Sequence, residues 1–305
     1  MPRPNAMRIF LTGSASHLAR VWLPKLCADP RVERVIGIDL APAIFTHAKF
    51  THQRVDIRSP DIGALMSGCN ALVHLAWVVL RGNMAASTMH EINVHGTKRV
   101  FEAARAAGIA RLIHLSSAAV YGSGEHLNET APFNPIPNFL YAQHKTEVEE
   151  YLAREFPQVL RLRPHIILGP HCQPLLTQLL HLPCYPRLPE PQPRMQCVQE
   201  DDVADAINSA IFKQSGGVLN LAAAGEFSLK EVITARYRHA IAVPFRVVKN
   251  TFNIAWRLTG YGGEPAWLDG MRHTLTLDCT RAQSGLDWQA KFTAKAAFEI
   301  GRAHV

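Results

Sequence analysis

Residues 7–27 of the chain read MRIFLTGSASHLARVWLPKLC, and this stretch combines three local patterns. Its first six residues form a short apolar run of strand length that leads into Gly13. Residues 17–27 have helical periodicity. A strand, a tight turn and a helix in this order let turn glycines bring the backbone against a pyrophosphate, which lies on the helix N-terminus. The stretch therefore predicts the first unit of a dinucleotide-binding fold.

The turn departs from the pattern TGxxGxxG that is typical of such units. Gly13 is present, whereas Ser16 and Ala19 occupy the second and third glycine positions. Ala19 is a mild change, because that position needs only a small residue for the helix to pack on the strand. Ser16 places a side chain beside the phosphate, so either its hydroxyl binds the phosphate or cofactor affinity is reduced. The predicted cradle consists of Gly13, Ser14, Ser16, His17 and Leu18.

The next predicted strand, residues 34–40, ends in Asp39, about twenty residues beyond the turn. A carboxylate at this place hydrogen-bonds the adenosine ribose hydroxyls and repels a 2′-phosphate. Residues 40–42, Leu-Ala-Pro, provide no arginine to offset that repulsion. The pattern favours NAD over NADP, and the alternative is a solvated aspartate at a strand end.

Strands and helices continue to alternate through the first half of the chain. Predicted strands cover residues 52–55, 71–76, 110–116 and 159–163, and a long helix covers residues 85–107. The run 71–76, ALVHLA, is continuously apolar, as expected of a buried parallel strand. This alternation predicts an α/β fold of the Rossmann type, with a doubly wound parallel sheet.

Residues 138–153, NFLYAQHKTEVEEYLA, predict a helix with Asn138 as its N-cap. Tyr141 and Lys145 are four residues apart and share one face of it. A nearby ammonium stabilises a phenolate and lowers the tyrosine pKa, so the two residues form a candidate proton-transfer pair. The alternative is one buried ring and one solvated amine.

Ser116 and Ser117 end the predicted strand 110–116 and begin the segment SSAAVYG. Ligands of doubly wound sheets bind beyond the carboxyl ends of the strands, so these hydroxyls are expected to face the cofactor. The alternative is that they are turn-forming serines, which are common.

Taken in order, these motifs resemble the extended short-chain dehydrogenases/reductases, and most closely their NAD-dependent epimerase/dehydratase branch. The resemblance covers the first 170 residues well. It is carried by the glycine turn, Asp39, Asp56-Ile57, His74-Leu75-Ala76, Asn93, Ser117 four residues before Tyr121, and the Tyr141/Lys145 pair. The segment 164–170 is similar to the family's RPxNxxGP segment over the nicotinamide, with Ile166 in place of the asparagine.

The resemblance implies an oxidoreductase or isomerase with Ser117, Tyr141 and Lys145 as catalytic residues. Tyr141 exchanges the substrate proton, Lys145 lowers its pKa and holds the nicotinamide ribose, and Ser117 binds the substrate oxygen. Besides the cradle and Asp39, the implied cofactor residues are Asp56, Ile57, Leu75, Ala76, Trp77, Asn93, Ser116, Tyr141, Lys145, Pro164 and Ile166. The cofactor is NAD, with NADP less favoured, and the partner is a small molecule. The rival interpretation is an atypical NAD(P)-binding module, regulatory or structural, without turnover.

Two departures from the family concern the substrate. Ile166 stands where the family's asparagine reaches a nucleotide sugar, and Met195 lies near the usual phosphate-binding arginine. Arg194 is adjacent to Met195 and could substitute for that arginine. An apolar side chain beside a diphosphate leaves charged oxygens without partners, which costs several kcal/mol. We therefore expect a hydroxy or keto substrate that is not a nucleotide sugar.

Length and composition set the remaining expectations. The 305 residues suggest a dinucleotide-binding domain over residues 1–170 and a smaller proline-rich substrate lobe over 171–305, with 195–222 returning to the first domain. Six scattered cysteines predict neither disulfides nor a metal site, and His165, His171 and Cys172 lack further ligands. A net charge of +7 without a basic run or motif does not predict nucleic-acid binding. With no apolar run of spanning length and no signal peptide, we expect a cytoplasmic protein without a membrane partner. Family resemblance favours a homodimer.

Overall fold

The structure is a computed structural model that describes residues 6–172, 181–213, 215–260 and 264–303. Its centre is a seven-stranded parallel sheet with the strand order β3-β2-β1-β4-β5-β7-β11. The strands of this sheet are β1 (Met7–Thr12), β2 (Val32–Asp39), β3 (Phe50–Arg54), β4 (Ala71–His74), β5 (Arg111–Leu115), β7 (Leu160–Pro164) and β11 (Val218–Leu221). The strand order reverses between β1 and β4, so their carboxyl ends form the crevice where ligands of such sheets bind.

Helices cover both faces of the sheet. They are α1 (His17–Ala28), α2 (Ile62–Leu65), α3 (Ala86–His90), α4 (Thr97–Ala106), α5 (Leu140–Glu155) and α6 (Glu200–Phe212), with a π-helical stretch Glu91–Gly96 between α3 and α4. One core lies between the sheet and helices α1 and α6, where Trp22 and Ile207 are fully buried. The opposite core lies beneath α4 and α5, around Phe101 and Leu152. These apolar faces explain why the 3.6-residue and strand periodicities predicted the elements.

The remaining described elements lie outside the seven-stranded sheet. The strands form three two-stranded parallel sheets, β6 (Gly124–Leu127) with β13 (Leu275–Leu277), β8 (Ile166–Leu168) with β10 (Cys197–Gln199), and β9 (Cys184–Arg187) with β12 (Ile241–Pro244). The helices are α7 (Leu229–Arg236), α8 (Phe245–Thr259), α9 (Ala266–Gly270), α10 (Thr280–Leu286) and α11 (Ala294–Ala303), besides the 3₁₀ turn Ala118–Tyr121.

A buried ionic network joins helix α5 to the sheet. Arg163 on β7 donates two hydrogen bonds to the Glu149 carboxylate, at 2.7 and 2.9 Å, and a third to the Tyr121 hydroxyl at 2.6 Å. The Tyr121 hydroxyl in turn donates to Asn220 on β11 at 2.8 Å. Because one guanidinium contacts the helix and the turn after β5, the network fixes these two elements relative to each other.

The predicted cap of helix α5 is wrong. The structure places Asn138 in the left-handed region, with φ of 61°, and begins the helix at Leu140 after Phe139, whose side chain makes no capping hydrogen bond. Phe139 is instead buried against Trp267, with ring centroids 4.6 Å apart. Packing of the aromatic ring therefore replaces side-chain capping at this helix start.

Candidate active site

The turn after β1 leaves no room for a side chain at Gly13. Its φ is +74°, and an added Cβ would lie 2.5 Å from the Ala76 nitrogen at the end of β4. Ser16 has ordinary extended dihedrals and caps helix α1, accepting a hydrogen bond from the Ala19 amide at 3.2 Å. The second glycine position therefore does not require glycine here, and the Ser16 hydroxyl keeps its own hydrogen for a further acceptor.

Ser14 is the one residue of the predicted cradle that does not line the cavity described below. Its side chain is buried under the turn, where Oγ is 3.0 Å from His52 Nδ1. Its position follows from close packing, because a Cβ on Gly37 would lie 2.6 Å from that of Ser14. The side chain therefore braces the turn from behind.

Asp39 holds the turn by hydrogen bonds to two backbone amides. One carboxylate oxygen accepts from Ala15 and the other from Ala41, both at 3.0 Å. Arg54 is paired with Asp39 across β2 and β3, and its Nε donates to the Leu40 carbonyl at 3.0 Å. Arg54 is fifteen residues from Asp39 in the chain and comes beside it only through the pairing of β2 with β3, so the residues next to Asp39 gave no sign of this arginine.

The Asn93 side chain hydrogen-bonds the backbone of the loop that follows β4. Its amide oxygen accepts from the Val78 nitrogen at 2.8 Å, and its amide nitrogen donates to the Val78 carbonyl at 2.9 Å. Asn93 is fully buried and does not line the cavity, in contrast to its predicted role as a cofactor residue. It positions the loop that carries Trp77.

Tyr141 and Ser117 meet at the carboxyl edge of the sheet. Ser117 begins the turn after β5, and its oxygen accepts from the Ala119 amide at 3.1 Å, which leaves the hydroxyl hydrogen free to be donated. Burial raises the pKa of the Tyr141 phenol, and the hydrogen bond from Ser117 opposes that rise. The two hydroxyls are thus placed to bind one substrate oxygen between them.

Lys145 is buried one helical turn beyond Tyr141. Its ammonium donates to the Leu115 carbonyl at 2.6 Å and lies 3.6 Å from the centre of the Trp77 ring. Burial holds the pKa of Lys145 well below its usual range, and the Glu149 carboxylate opposes this shift. The ammonium is 6.0 Å from the centre of the Tyr141 ring.

Lys145 therefore does not lower the Tyr141 pKa in this arrangement, in contrast to the prediction. The phenol is desolvated, so its pKa rises, and the Lys145 ammonium lies against Trp77 and the Leu115 carbonyl instead of the phenol oxygen. The sequence spacing placed both residues on one helical face correctly, but it could not show that the Trp77 ring contacts both of them.

One cavity of about 800 Å³ connects these groups. Of the predicted residues, those on its walls are Gly13, Ser16, His17, Leu18, Asp39, Asp56, Ile57, Leu75, Ala76, Trp77, Ser116, Ser117, Tyr141, Lys145, Pro164 and Ile166. The cavity wall near these residues also includes five that the sequence did not predict, Ala15, Ile38, Val55, Val78 and His165. Their strand-end positions were visible in the sequence, but their side chains belong to no motif.

The residues at this end fit a dinucleotide. Gly13 lets the turn pack against the Ala76 backbone on the cavity wall, and the Asp39 carboxylate stands at the end of β2, where dinucleotide-binding folds bind a ribose diol. The Ser116 hydroxyl is buried without a hydrogen-bond partner in the described structure. A buried unpaired hydroxyl on the wall of a cavity is a group that a ligand can satisfy.

The rest of the cavity is largely apolar, although His171, Glu200 and His273 also line it. Its apolar wall residues include Ile136, Phe139, Leu182, Phe227, Leu229, Ile233, Val248, Phe252, Trp267, Leu268, Met271 and Phe298. Within the described residues, Lys145 is the only lysine or arginine on the walls, and the segment 173–180, QPLLTQLL, has neither in its sequence. Arg194 is directed to Glu231 at 2.6 Å and to the Glu226 carbonyl at 3.0 Å, so it does not replace the phosphate-binding arginine.

Comparison with known proteins identifies the family. The profile of the NAD dependent epimerase/dehydratase family matches residues 9–180, more than half of the chain. The chain belongs to this family. An uncharacterized protein of Mycobacterium tuberculosis is 27% identical over 95% of this chain and 82% of its own length. A 4-hydroxy-2-methyl-3-oxo-4-farnesyl-3,4-dihydroquinoline-1-oxide ketoreductase of Stigmatella aurantiaca is 28% identical over 57% of this chain and 54% of its own length.

A solved UDP-glucose 4-epimerase from Thermotoga maritima has the same fold, with a TM-score of 0.77, 18% identity and 98% of each chain covered. Several other solved structures with this fold contain NAD. The predicted fold class and the prediction of an enzyme of the extended short-chain dehydrogenase/reductase type are confirmed.

Two further features concern ligands and membranes. None of the six cysteines forms a disulfide bond, and the described residues contain no group of three or more metal-ligating side chains. No helix among the described residues is both long enough and apolar enough to span a bilayer.

Proposed function

We propose that this protein is an NAD(H)-dependent oxidoreductase that interconverts a hydroxyl and a keto group on a largely apolar substrate. The observation that carries this proposal is that Tyr141 and Ser117, hydrogen-bonded to each other, line one cavity together with the residues suited to a dinucleotide and with many apolar side chains. When bound, the dinucleotide supplies or accepts the hydride.

The chain's own residues handle the proton and the developing charge. Ser117 donates its hydrogen in a hydrogen bond to the substrate oxygen, and the Tyr141 phenol gives that oxygen a proton during reduction, whereas the Tyr141 phenolate takes one during oxidation. Two of the three Lys145 ammonium hydrogens remain beyond the bond to Leu115, and they are suited to bind the nicotinamide ribose. Asp39 holds the adenosine ribose, and the turn at Gly13 receives the pyrophosphate.

The pH behaviour of Tyr141 follows from this arrangement. Burial raises the phenol pKa, so Tyr141 is protonated near neutral pH and is ready to act as the acid in ketone reduction. A positive charge brought close by an oxidised cofactor would stabilise the phenolate and favour the reverse direction.

The walls support an apolar substrate over a nucleotide sugar. A diphosphate needs cationic or multiple amide donors, and arginine is the usual residue for this purpose. Beyond Lys145 the described walls carry no lysine or arginine, and Phe139 and Trp267 pack beside the phenol at 5.7 and 5.1 Å between ring centroids. The farnesyl group in the name of the Stigmatella aurantiaca ketoreductase supports the same substrate class.

The test is turnover by purified protein on apolar secondary alcohols and ketones, among them sterols and prenylated compounds, with UDP-, dTDP- and GDP-sugars in parallel. Tyr141→Phe is expected to lower turnover about a hundredfold or more and to leave NADH affinity nearly unchanged, because only the proton-transfer group is removed. Tyr151→Phe makes the same change on the same helix, where the hydroxyl binds Glu102 away from the cavity, and should be silent.

Lys145→Met should reduce both turnover and cofactor affinity, because the ammonium has a role in each. Full activity of Tyr141→Phe would refute the catalytic assignment. Turnover of a nucleotide sugar, with thermal stabilisation by the same compound, would refute the substrate class. NAD binding without turnover of any substrate would favour the non-catalytic module.

A further inference from the structure

Helix α8, Phe245–Thr259, has an apolar stripe on each of two faces. Val248 and Phe252 face the cavity. On the outer face, Val247, Ile254 and Leu258 are 51%, 57% and 81% exposed. No residue of this helix is fully buried.

The outer stripe is continuous. Val247, Thr251, Ile254 and Leu258 follow the spacing i, i+4, i+7 and i+11, which places them on one side of a helix. Ile241, at the start of β12 just before the helix, is 65% exposed. Together with the helix it supplies four of the eight large apolar side chains that are exposed in the described chain. A concentrated apolar surface of this kind marks an interaction site more often than a free surface.

The same region is strongly cationic. Residues 232–263 contain five arginines and lysines, at positions 236, 238, 246, 249 and 257, and no aspartate or glutamate. Lys249 is paired with Asp269 at 2.7 Å. Arg246 and Arg257 are exposed and directly precede Val247 and Leu258 in the chain, so cations border the apolar stripe.

We propose that this surface, the outer face of helix α8 with Ile241, docks on an anionic lipid bilayer. An apolar stripe bordered by arginines is the pattern of a helix that lies in a membrane interface, with the apolar residues among acyl chains and the cations at the headgroups. The helix has 15 residues and does not span the bilayer. This revises the expectation of no membrane partner, which rested on the absence of spanning segments.

The positive charge of this surface argues against a second copy of the chain as the partner that covers it. A two-fold dimer through this face would bring the same patch of each copy together, and the exposed arginines would then oppose each other. An anionic bilayer instead complements both the charge and the apolar stripe. Nucleic acid would match the charge and leave the apolar stripe exposed.

The position of helix α8 beside the cavity links membrane docking to substrate entry. Its inner face contributes Val248 and Phe252 to the apolar end of the cavity, so a lipid-dissolved substrate that enters beside α8 would pass directly from the bilayer to Tyr141. This delivery role rests on the proposed function, whereas the docking does not depend on the chemistry.

The experiment is flotation of the full chain with vesicles of phosphatidylcholine containing about 30% phosphatidylglycerol, compared with vesicles of phosphatidylcholine alone. The wild-type protein should float with the anionic vesicles, and binding should fall between roughly 50 and 500 mM salt as the charges are screened. Ile254→Gln with Leu258→Gln should reduce the bound fraction about fivefold or more by removing apolar burial. Arg246→Gln with Arg257→Gln should reduce it to a similar degree on anionic vesicles.

Two control variants match these changes on other surfaces. Phe292→Gln alters an exposed apolar residue outside the stripe, and Arg34→Gln with Arg154→Gln removes two exposed cations elsewhere. Both should bind vesicles as the wild type does. NADH titration of every variant reports the integrity of the cofactor site, so loss of docking is distinguished from failure of the proposed chemistry.

Three results would overturn the proposal. They are the absence of wild-type flotation, equal flotation of the stripe variants and the controls, and a wild-type dimer that becomes monomeric in the stripe variant by light scattering. If the double glutamine variant failed to fold, the double arginine variant and the salt dependence of the wild type would still decide the question.

Discussion

Asp39→Asn is expected to reduce the preference for NADH over NADPH about tenfold. The carboxylate is fixed at the end of β2 by the amides of Ala15 and Ala41, so it cannot turn away from a 2′-phosphate. A phosphate charge of about −1.5 to −2 at roughly 5 Å in a water-like medium is repelled by about 1.2 to 1.7 kcal/mol. About 1.4 kcal/mol corresponds to a tenfold change in affinity ratio.

Arg54 provides the opposite perturbation. Its guanidinium reaches the Leu40 carbonyl beside Asp39 and would attract the same 2′-phosphate, so Arg54→Gln should increase the preference for NADH. Fluorescence titration of NADH and NADPH with each variant measures the ratio, and Asp287→Asn, at a side chain 94% exposed, controls for loss of a carboxylate. An unchanged ratio in Asp39→Asn, or a wild type that prefers NADPH, would refute this reasoning.

Two further predictions concern stability. Ser16→Ala should lower the free energy of unfolding, measured with urea, by about 1 kcal/mol, because the hydrogen bond that caps the Ala19 amide is lost. Ser16→Gly should lower it by less. Equal stability of the wild type and Ser16→Ala would contradict the capping role of Ser16. Burial lowers the pKa of His74 to about 3 and the pKa values of His144 and His165 to about 4. The unfolded chain therefore takes up protons that the folded chain does not, and each residue should cost about 1 kcal/mol of stability per pH unit as the pH falls from about 6.5 towards 4. Urea midpoints at intervals across this range measure the slope, and a flat profile would contradict the prediction.

The fold could be predicted from the sequence because its signals are local. The apolar run before Gly13 and the run 71–76 are buried on both faces of a parallel sheet, so their character shows in any short window. The same holds for Tyr141 and Lys145, whose spacing on one helix depends on nothing outside it.

The features that the sequence did not predict depend on contacts between residues that are distant in the chain. Arg54 lies beside Asp39 only because β2 and β3 are paired, and Lys145 turns to Trp77 only because β4 ends beneath helix α5. The motif position of Asn93 predicts a cofactor-binding residue, but its side chain hydrogen-bonds the Val78 backbone instead. Most of the apolar wall residues come from segments after residue 180 that share no motif, so their convergence could not be predicted.

The Arg163 network has a consequence for how this enzyme can diverge. It fixes Ser117 and Tyr141 relative to each other from behind, through Tyr121 and Glu149, and none of its residues lies on the cavity wall. Mutations in the walls can therefore accumulate without moving the two hydroxyls that act on the substrate. Proteins that descend from this one can therefore change substrate specificity repeatedly and still catalyse the same type of reaction.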